Sequence, residues 1–76
     1  MILDLLTKYG YTFHRSCRCN GIYTEKYKNG PHTVEWRKTR HKVAIKFNRD
    51  FITPWFMADQ LETHLKKVHD TVENMH

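Results

Sequence analysis

Residues 33–47 read TVEWRKTRHKVAIKF and contain the two clearest strand signals of the chain. Apolar side chains alternate with polar ones in both halves of this stretch: Val34 and Trp36, then Val43, Ile45 and Phe47. A period of two is typical of a strand that buries one face and exposes the other. The basic segment KTRH between the two halves is short enough for a tight turn. The stretch therefore predicts a β-hairpin with one apolar face.

Two further strand-like segments precede this hairpin. Residues 11–15 alternate apolar and polar side chains, and residues 22–28 are rich in residues that favour strands. The pair Asn20-Gly21 and the triplet Asn29-Gly30-Pro31 are strong turn signals. We therefore predict an antiparallel meander of three to four strands over residues 11–48.

Helical patterns lie at both ends of the chain. Apolar side chains occupy one face of residues 2–9 and Gly10 follows as a C-terminal stop, so a helix is predicted over residues 1–10. Downstream, Thr53 and Pro54 have the residue types of an N-cap and a first helical position. Apolar residues then recur at helical spacing, which predicts a long helix over residues 53–72. Residues 73–76 are predicted to form a frayed tail.

These elements predict one small α+β domain spanning residues 1–76. A chain of 76 residues has room for a single core. The apolar faces of the helices and the sheet have only each other to bury against, so we expect two layers, with the long helix packed on one sheet face. The other sheet face is expected to be open.

Composition and charge exclude several classes of protein. An aromatic content of 13% with clear periodicity argues against disorder, and no apolar run approaches the roughly 20 residues of a membrane-spanning helix. The segment MILDLL is too short for a secretory signal, so we expect a cytoplasmic chain with no membrane partner. Thirteen Lys and Arg residues against eight Asp and Glu give a net charge of +5. An excess of this sign favours a polyanionic partner.

The positive charge is concentrated on the predicted sheet and its turns. The candidate nucleic-acid-binding residues are Arg37, Lys38, Arg40, His41, Lys42 and Lys46 of the central hairpin, with Lys26 and Lys28 from the neighbouring strand. We expect Lys38 and Arg40 to project from the hairpin tip toward phosphates, and Tyr23, Tyr27 and Trp36 to offer stacking surfaces to bases. The alternative is that lysines on an open sheet face and edge only prevent strand-to-strand aggregation.

Three residues near the first turn have the chemistry of metal ligands. Imidazole and thiolate groups bind zinc, and His14, Cys17 and Cys19 lie within six residues. One residue separates the cysteines instead of the usual two, and no second pair exists, so free thiols are the favoured interpretation and zinc the one cofactor option. No Ser-His-Asp or Cys-His spacing indicates catalysis, so a non-enzymatic function is preferred.

A bulky apolar pair near the start of the predicted long helix is a candidate protein-binding site. Successive helical residues point about 100° apart, so Trp55 and Phe56 are not both expected to face inward. An exposed ring there would anchor a protein partner or a second copy of the chain. The alternative is that the ring packs on the preceding loop. A structural or interaction subunit, viral or from a mobile element, is therefore a second candidate function.

The order helix, strands, helix resembles that of small domains similar to double-stranded-RNA-binding domains, including the HicA-type toxins that cleave messenger RNA. Leu5-Leu6 and Lys8 ahead of Gly10, followed by Phe13, are similar to the opening of such a toxin. This resemblance implies a third candidate function, a small ribonuclease. Those toxins rely on a histidine of the second strand, whereas the corresponding stretch here reads SCRCN at residues 16–20. The resemblance is therefore one of architecture.

Overall fold

The computed structural model describes residues 2–73 of the chain. Within this range two α-helices flank six strands: α1 (Ile2–Lys8), β1 (Thr12–Cys19), β2 (Ile22–Asn29), β3 (His32–Arg37), β4 (Lys42–Phe47), β5 (Asp50–Phe51), β6 (Phe56–Met57) and α2 (Leu61–Glu73). The predicted α+β class is confirmed. The predicted tail lies, from residue 74 onward, outside the described residues. No helix within residues 2–73 has the length and apolarity needed to cross a membrane.

The strands form one antiparallel sheet in the order β1-β2-β3-β4-β5, and β6 also pairs with β4. The central hairpin has the register that its sequence predicts, with Val34 opposite Ile45 and Trp36 opposite Val43. Four long strands match the predicted meander, and the two-residue strands β5 and β6 are additions to it. The expectation of three to four strands was therefore too low, because segments of two residues are too short to show a periodic pattern.

Of the three turns that connect the four long strands, the first and the third differ in kind. Between β1 and β2, Asn20 and Gly21 both have positive φ angles, 53° and 77°, as a two-residue type I′ turn requires. Between β3 and β4, residues Lys38–Arg40 form a short 3₁₀ helix, and His41 closes it in the left-handed conformation with a φ of 53°. The predicted tight basic tip is therefore a compact helical turn.

The core lies on one face of the sheet, called here the core face. Val34, Val43 and Ile45 contribute side chains from the sheet, and all three are fully buried. Leu61 and Leu65 of α2 belong to the same buried cluster. Fully burying a side chain of this size stabilises a fold by about 1.5–3 kcal/mol. Both helices contribute to this cluster, since Leu6 of α1 is also part of it.

The long helix begins later than the sequence predicts. Thr53 does not cap a helix, because its Oγ1 accepts a hydrogen bond from the backbone N–H of Ile45 at 3.0 Å. The N–H of Ile52 donates to the carbonyl of Ile45 at 2.9 Å, so this segment runs along β4. Residues 56–57 then form β6 and residues 58–60 a 3₁₀ turn. The predicted helix start at residue 53 is wrong, because pairing with β4 satisfies the backbone there.

A polar aromatic cluster ties α2 to the sheet. The Nε2 of His69 lies 3.0 Å from the Oη of Tyr11, and its ring stacks on Tyr9 with centroids 5.5 Å apart. The His32 ring lies 5.3 Å from the His69 ring. Burial lowers the pKa of His32, and the neighbouring His69 lowers it further. Burial also raises the pKa of Tyr11 to about 12. The cluster therefore favours a neutral His32.

Candidate nucleic-acid interface

The strand register collects basic side chains on the sheet face opposite the core face. Lys28 pairs with Thr33 and Thr33 with Lys46, while Arg37 pairs with Lys42. Residues that pair directly across an antiparallel sheet share a face. We call this side the basic face and define it by six residues: Arg15, Lys26, Lys28, Arg37, Lys42 and Lys46.

A β-bulge brings Arg15 into this set. Phe13 pairs with Tyr27 and Arg15 pairs with Lys26, so β1 advances by two residues where β2 advances by one. The additional residue is His14. In a regular strand Arg15 would share the face of Phe13, because alternate residues point the same way. With the bulge, Arg15 lies beside Lys26 on the basic face.

The cations of the basic face are closely spaced. Lys26 and Lys28 are two residues apart on β2, which places them about 6.7 Å from each other, and Arg15 is one strand spacing of about 4.8 Å from Lys26. Strands β1 to β4, all of which the structure describes, contribute six cations and one carboxylate, Glu35, to this face. Clustered charge of one sign raises the local concentration of an oppositely charged partner.

Glu35 engages one of these cations. The Nζ of Lys46 lies 3.2 Å from the Oε2 of Glu35, and the side chains are only 21% and 11% exposed. This pair neutralises Lys46 and makes it part of the packing. Among the residues that the structure describes, no carboxylate lies within ion-pair distance of Arg15, Lys28 or Lys42, and all three are exposed. These three are therefore the exposed cations of the basic face that have no acidic neighbour within the described residues.

Aromatic rings lie at the β4 side of the basic face. The Arg37 guanidinium lies 4.0 Å from the centroid of the Trp55 ring, and the Lys46 ammonium lies 4.9 Å from that of Phe51. The two rings are 5.8 Å apart. Phe51 is 51% exposed, whereas Trp55 is half-buried. Sequence reasoning missed Phe51 as a site residue, because nothing in the sequence indicates that residues 50–57 run along β4.

Other predicted members of the interface lie elsewhere. Lys38 lies on the core face, where its Nζ is 3.6 Å from Glu25 and 4.8 Å from the centroid of Trp36. Arg40 and His41 are exposed in the turn. The expectation that Lys38 and Arg40 project together from the tip is wrong, because the 3₁₀ turn directs Lys38 back over the aromatic side chains.

The aromatic residues predicted to stack on bases belong to the core face. Glu25 accepts hydrogen bonds there from the Oη of Tyr23 at 3.1 Å and from the Oη of Tyr27 at 2.8 Å. Burial raises the pKa of Tyr27 to about 12, and the hydrogen bond to Glu25 adds to the rise. Trp36 pairs with Val43 on the same side. None of these three rings therefore faces the basic side.

The two residues of the predicted protein-binding site, Trp55 and Phe56, lie in different environments. Phe56 is 7% exposed, pairs with Val43 and stacks on the ring of His64 with centroids 3.8 Å apart. It therefore has almost no surface to offer a partner. Trp55 packs against Phe51 and Arg37, which resembles the loop contact given above as the alternative.

The candidate zinc ligands lie along β1 without forming a common site. His14 occupies the bulge, while Cys17 and Cys19 are free thiols that pair opposite Thr24 and Ile22. Within the described part of the chain, no group of three or more His, Cys, Asp or Glu side chains is placed to hold a metal ion. The predicted set of three ligands is therefore not assembled.

The stretch compared above with the second strand of the toxins, residues 16–20, lies in β1 up to Cys19 and in the turn that follows. β2 reads IYTEKYKN and contains no histidine. In comparisons with known proteins, no family model, no curated protein and no solved structure matches this chain.

Proposed function

We propose that this protein is a small non-catalytic module that binds nucleic acid through the basic face. The observation that supports this proposal is the gathering of six cations from four strands on one sheet face. Lysine and arginine side chains that neutralise phosphates release condensed counterions, and this release drives binding without sequence preference. Arg15, Lys28 and Lys42 are the phosphate-contacting residues in this proposal, since each is exposed and free of an acidic neighbour.

The proposed ligand is a strand with unpaired bases. A sheet face has no projecting helix to enter a duplex groove, whereas an aromatic ring stacks on any unpaired base with about 1–3 kcal/mol per base. Phe51 offers the exposed ring, and Trp55 beside it is already covered by Arg37. Bases near β5 and phosphates at Arg15 of β1, Lys28 of β2 and Lys42 of β4 are the arrangement that these positions favour.

The proposal includes a layered arrangement of the domain and a location in the cell. With α1 and α2 packed as one layer on the core face, the basic face is accessible at its exposed cations, whereas Thr33, Glu35 and Ala44 on the same face are buried. A reducing compartment such as the cytoplasm suits the free thiols Cys17 and Cys19 and contains the proposed ligand. A membrane partner is no part of this proposal.

The test compares two lysines that differ only in their place on the fold. Lys28 lies on the basic face and Lys66 is exposed on α2. Fluorescence anisotropy with a labelled single-stranded RNA and a labelled DNA of the same sequence measures affinity between about 50 and 200 mM salt. We expect Lys28→Ala to lower the slope of log K against log salt by about 0.7, the value for one phosphate contact in a single strand.

The control variant Lys66→Ala removes the same charge and is expected to retain the wild-type slope. Equal effects of the two substitutions would show that net charge alone governs binding, which would contradict an interface on the basic face. Absence of binding by the wild-type protein at about 50 mM salt would contradict the proposed function altogether.

A second candidate function, a protein-interaction subunit, is favoured by the free edge of the sheet. β1 is an edge strand, and all eight of its residues are exposed. Such an edge presents unpaired backbone groups to which another strand can add. Sedimentation of the purified protein tests this candidate for self-association. A single monomeric species over a wide concentration range would exclude pairing between copies.

A further inference from the structure

Two exposed cysteines on β1 have no role in the packing. Cys17 and Cys19 are both free thiols with exposed side chains. Cysteine is among the residue types most often buried, and its reactivity rather than its packing usually decides why it is retained. Neither residue belongs to the buried core cluster. Packing therefore does not account for these two cysteines, and the reactivity of their thiols is the property that could.

The strand holds both thiols on one side at a fixed spacing. Cys17 pairs with Thr24 and Cys19 with Ile22, and the ladder is regular from Arg15 to the turn. Residues two apart in a strand point to the same face, with about 6.7 Å between equivalent atoms. A disulfide needs Cβ atoms about 3.5–4.5 Å apart, so a direct S–S bond does not fit a regular strand here.

A bridging ion fits this spacing better than a disulfide. A metal–thiolate bond is about 2.3 Å long, so two of them in line separate the sulfur atoms by about 4.6 Å. Two Cβ–Sγ bonds that lean toward each other span the remaining gap. A third ligand is not at hand, since no cluster of three metal-binding side chains occurs among the described residues. Zinc takes four ligands in structural sites, so this pair of thiolates does not complete its coordination.

Softness and charge select the ion. Thiolates select soft ions such as Cu(I) over hard cations. Cu(I) with two thiolates carries one net negative charge, and Arg15 lies on the same face of β1 as both cysteines. Arg18, the residue between the cysteines, lies on the other face of β1, where its guanidinium is 5.5 Å from the centroid of the Tyr23 ring. Arg15 offsets the charge of the occupied site.

We propose that Cys17 and Cys19 form a two-coordinate site for Cu(I) on the edge strand. Binding forms two Cu–S bonds and breaks the S–H bond of each cysteine that is protonated beforehand, with those protons released to solvent. No change of oxidation state is involved. The site shares Arg15 with the proposed nucleic-acid interface but requires neither Lys28 nor Lys42, and its test does not depend on nucleic-acid binding.

The test is an anaerobic titration of the reduced protein with Cu(I), in competition with the chromogenic chelator bathocuproine disulfonate. We expect one Cu(I) per chain. Cys17→Ser and Cys19→Ser should each lower the affinity by at least about 100-fold, because a second ligand on the same strand acts at high effective concentration. The variant His14→Ala changes the nearest imidazole on β1 and is expected to bind like the wild type. Circular dichroism of each variant checks that the fold is retained.

Three results would overturn the proposal. Wild-type affinity in either cysteine variant would show that the two thiols do not act as a pair. Loss of binding in His14→Ala as large as in the cysteine variants would show that the site is not a two-thiolate site. A saturating ratio of one Cu(I) to two chains would show that the ion bridges copies of the protein instead of two residues of one strand.

Discussion

The two tryptophans of this protein lie on opposite faces of the same sheet, and each has a cation over its ring. Trp36 is on the core face beneath Lys38, whose ammonium is 4.8 Å from the ring centroid. Trp55 is on the basic face, where the guanidinium of Arg37 lies at 4.0 Å. Arg37 and Lys38 are consecutive residues, yet they cover different faces.

The difference lies in what surrounds each cation. Lys38 is 3.6 Å from Glu25, which also accepts hydrogen bonds from two tyrosines, so its charge is used within the fold. Among the described residues, Arg37 has no carboxylate at ion-pair distance. Adjacency in a basic run therefore says little about whether a charge is available to a ligand. Whether the charge is available depends on the sheet face on which the side chain lies.

The largest expected difference between the faces concerns β4. Ile45 is fully buried on the core face, and Lys42 is exposed on the basic face. We expect Ile45→Ala to lower the free energy of unfolding by about 2–5 kcal/mol, since it leaves a cavity in the core. Lys42→Ala should change it by less than about 0.5 kcal/mol. Urea denaturation measures both, and similar losses would contradict the assignment of faces.

A smaller effect is expected at the ion pair between Lys46 and Glu35 on the basic face. Lys46→Ala leaves the Glu35 carboxylate, 11% exposed, without its cation. Leaving a buried polar group without its partner costs about 1–3 kcal/mol, so we expect a loss of that size in thermal or urea unfolding. The variant Lys28→Ala on the same face is the control and should be nearly neutral. Equal stability of the two variants would mean that Lys46 is as free as Lys28.

The free energy of unfolding should also depend on pH, through His32 on the core face. Because the pKa of His32 is lowered by burial and by His69, the unfolded chain binds more protons than the native one below about pH 6.5. Stability is then fully present above that pH and falls as the pH decreases toward the folded-state pKa, by at most about 1.4 kcal/mol per pH unit for each proton. Unfolding of wild type and His32→Gln at several pH values measures this. An unchanged pH dependence in the variant would assign the effect to other groups.

The smallest expected effect tests Lys38 itself. Its ion pair with Glu25 is partly exposed, with the lysine side chain 39% accessible, so Lys38→Ala should cost less than about 1 kcal/mol. Because Lys38 lies on the core face, the salt dependence of nucleic-acid binding should not change. A slope reduced as much as that of Lys28→Ala would place the interface on both faces.

The sequence predicted the parts of the fold that have a strong period or a specific turn. The hairpin of residues 33–47 has its predicted register, and Asn20-Gly21 forms the predicted turn. The start of α2 was predicted too early. Thr53 and Pro54 are residue types common at a helix N-terminus, but the same residue types also fit a segment beside β4, where Thr53 accepts a hydrogen bond. The choice between the two depends on the unpaired backbone of β4, which is a tertiary property.

The candidate site was predicted in part for the same reason. Alternation correctly places Arg37, Lys42 and Lys46 on the face opposite Val34. It fails for Lys38, which lies in the 3₁₀ turn outside the period of either strand. Alternation also did not predict that Arg15 lies on this face, since a one-residue bulge cannot be recognised in a strand as polar as β1. Phe51 joins the face through pairing with Lys46, which has no local signal.

The bulge at His14 has a consequence for insertions and deletions in β1. His14 is the residue that the ladder does not pair, so a chain without it has a regular strand in which Phe13 and the following arginine already point to opposite faces. Loss of this one residue therefore leaves every cation and thiol of β1 on its present face. Loss of a residue between Arg15 and Cys19 would instead move part of the strand to the other side, unless the bulge disappeared to compensate. Because of the bulge, β1 can lose one residue without any change in which side chains lie on each face of the sheet.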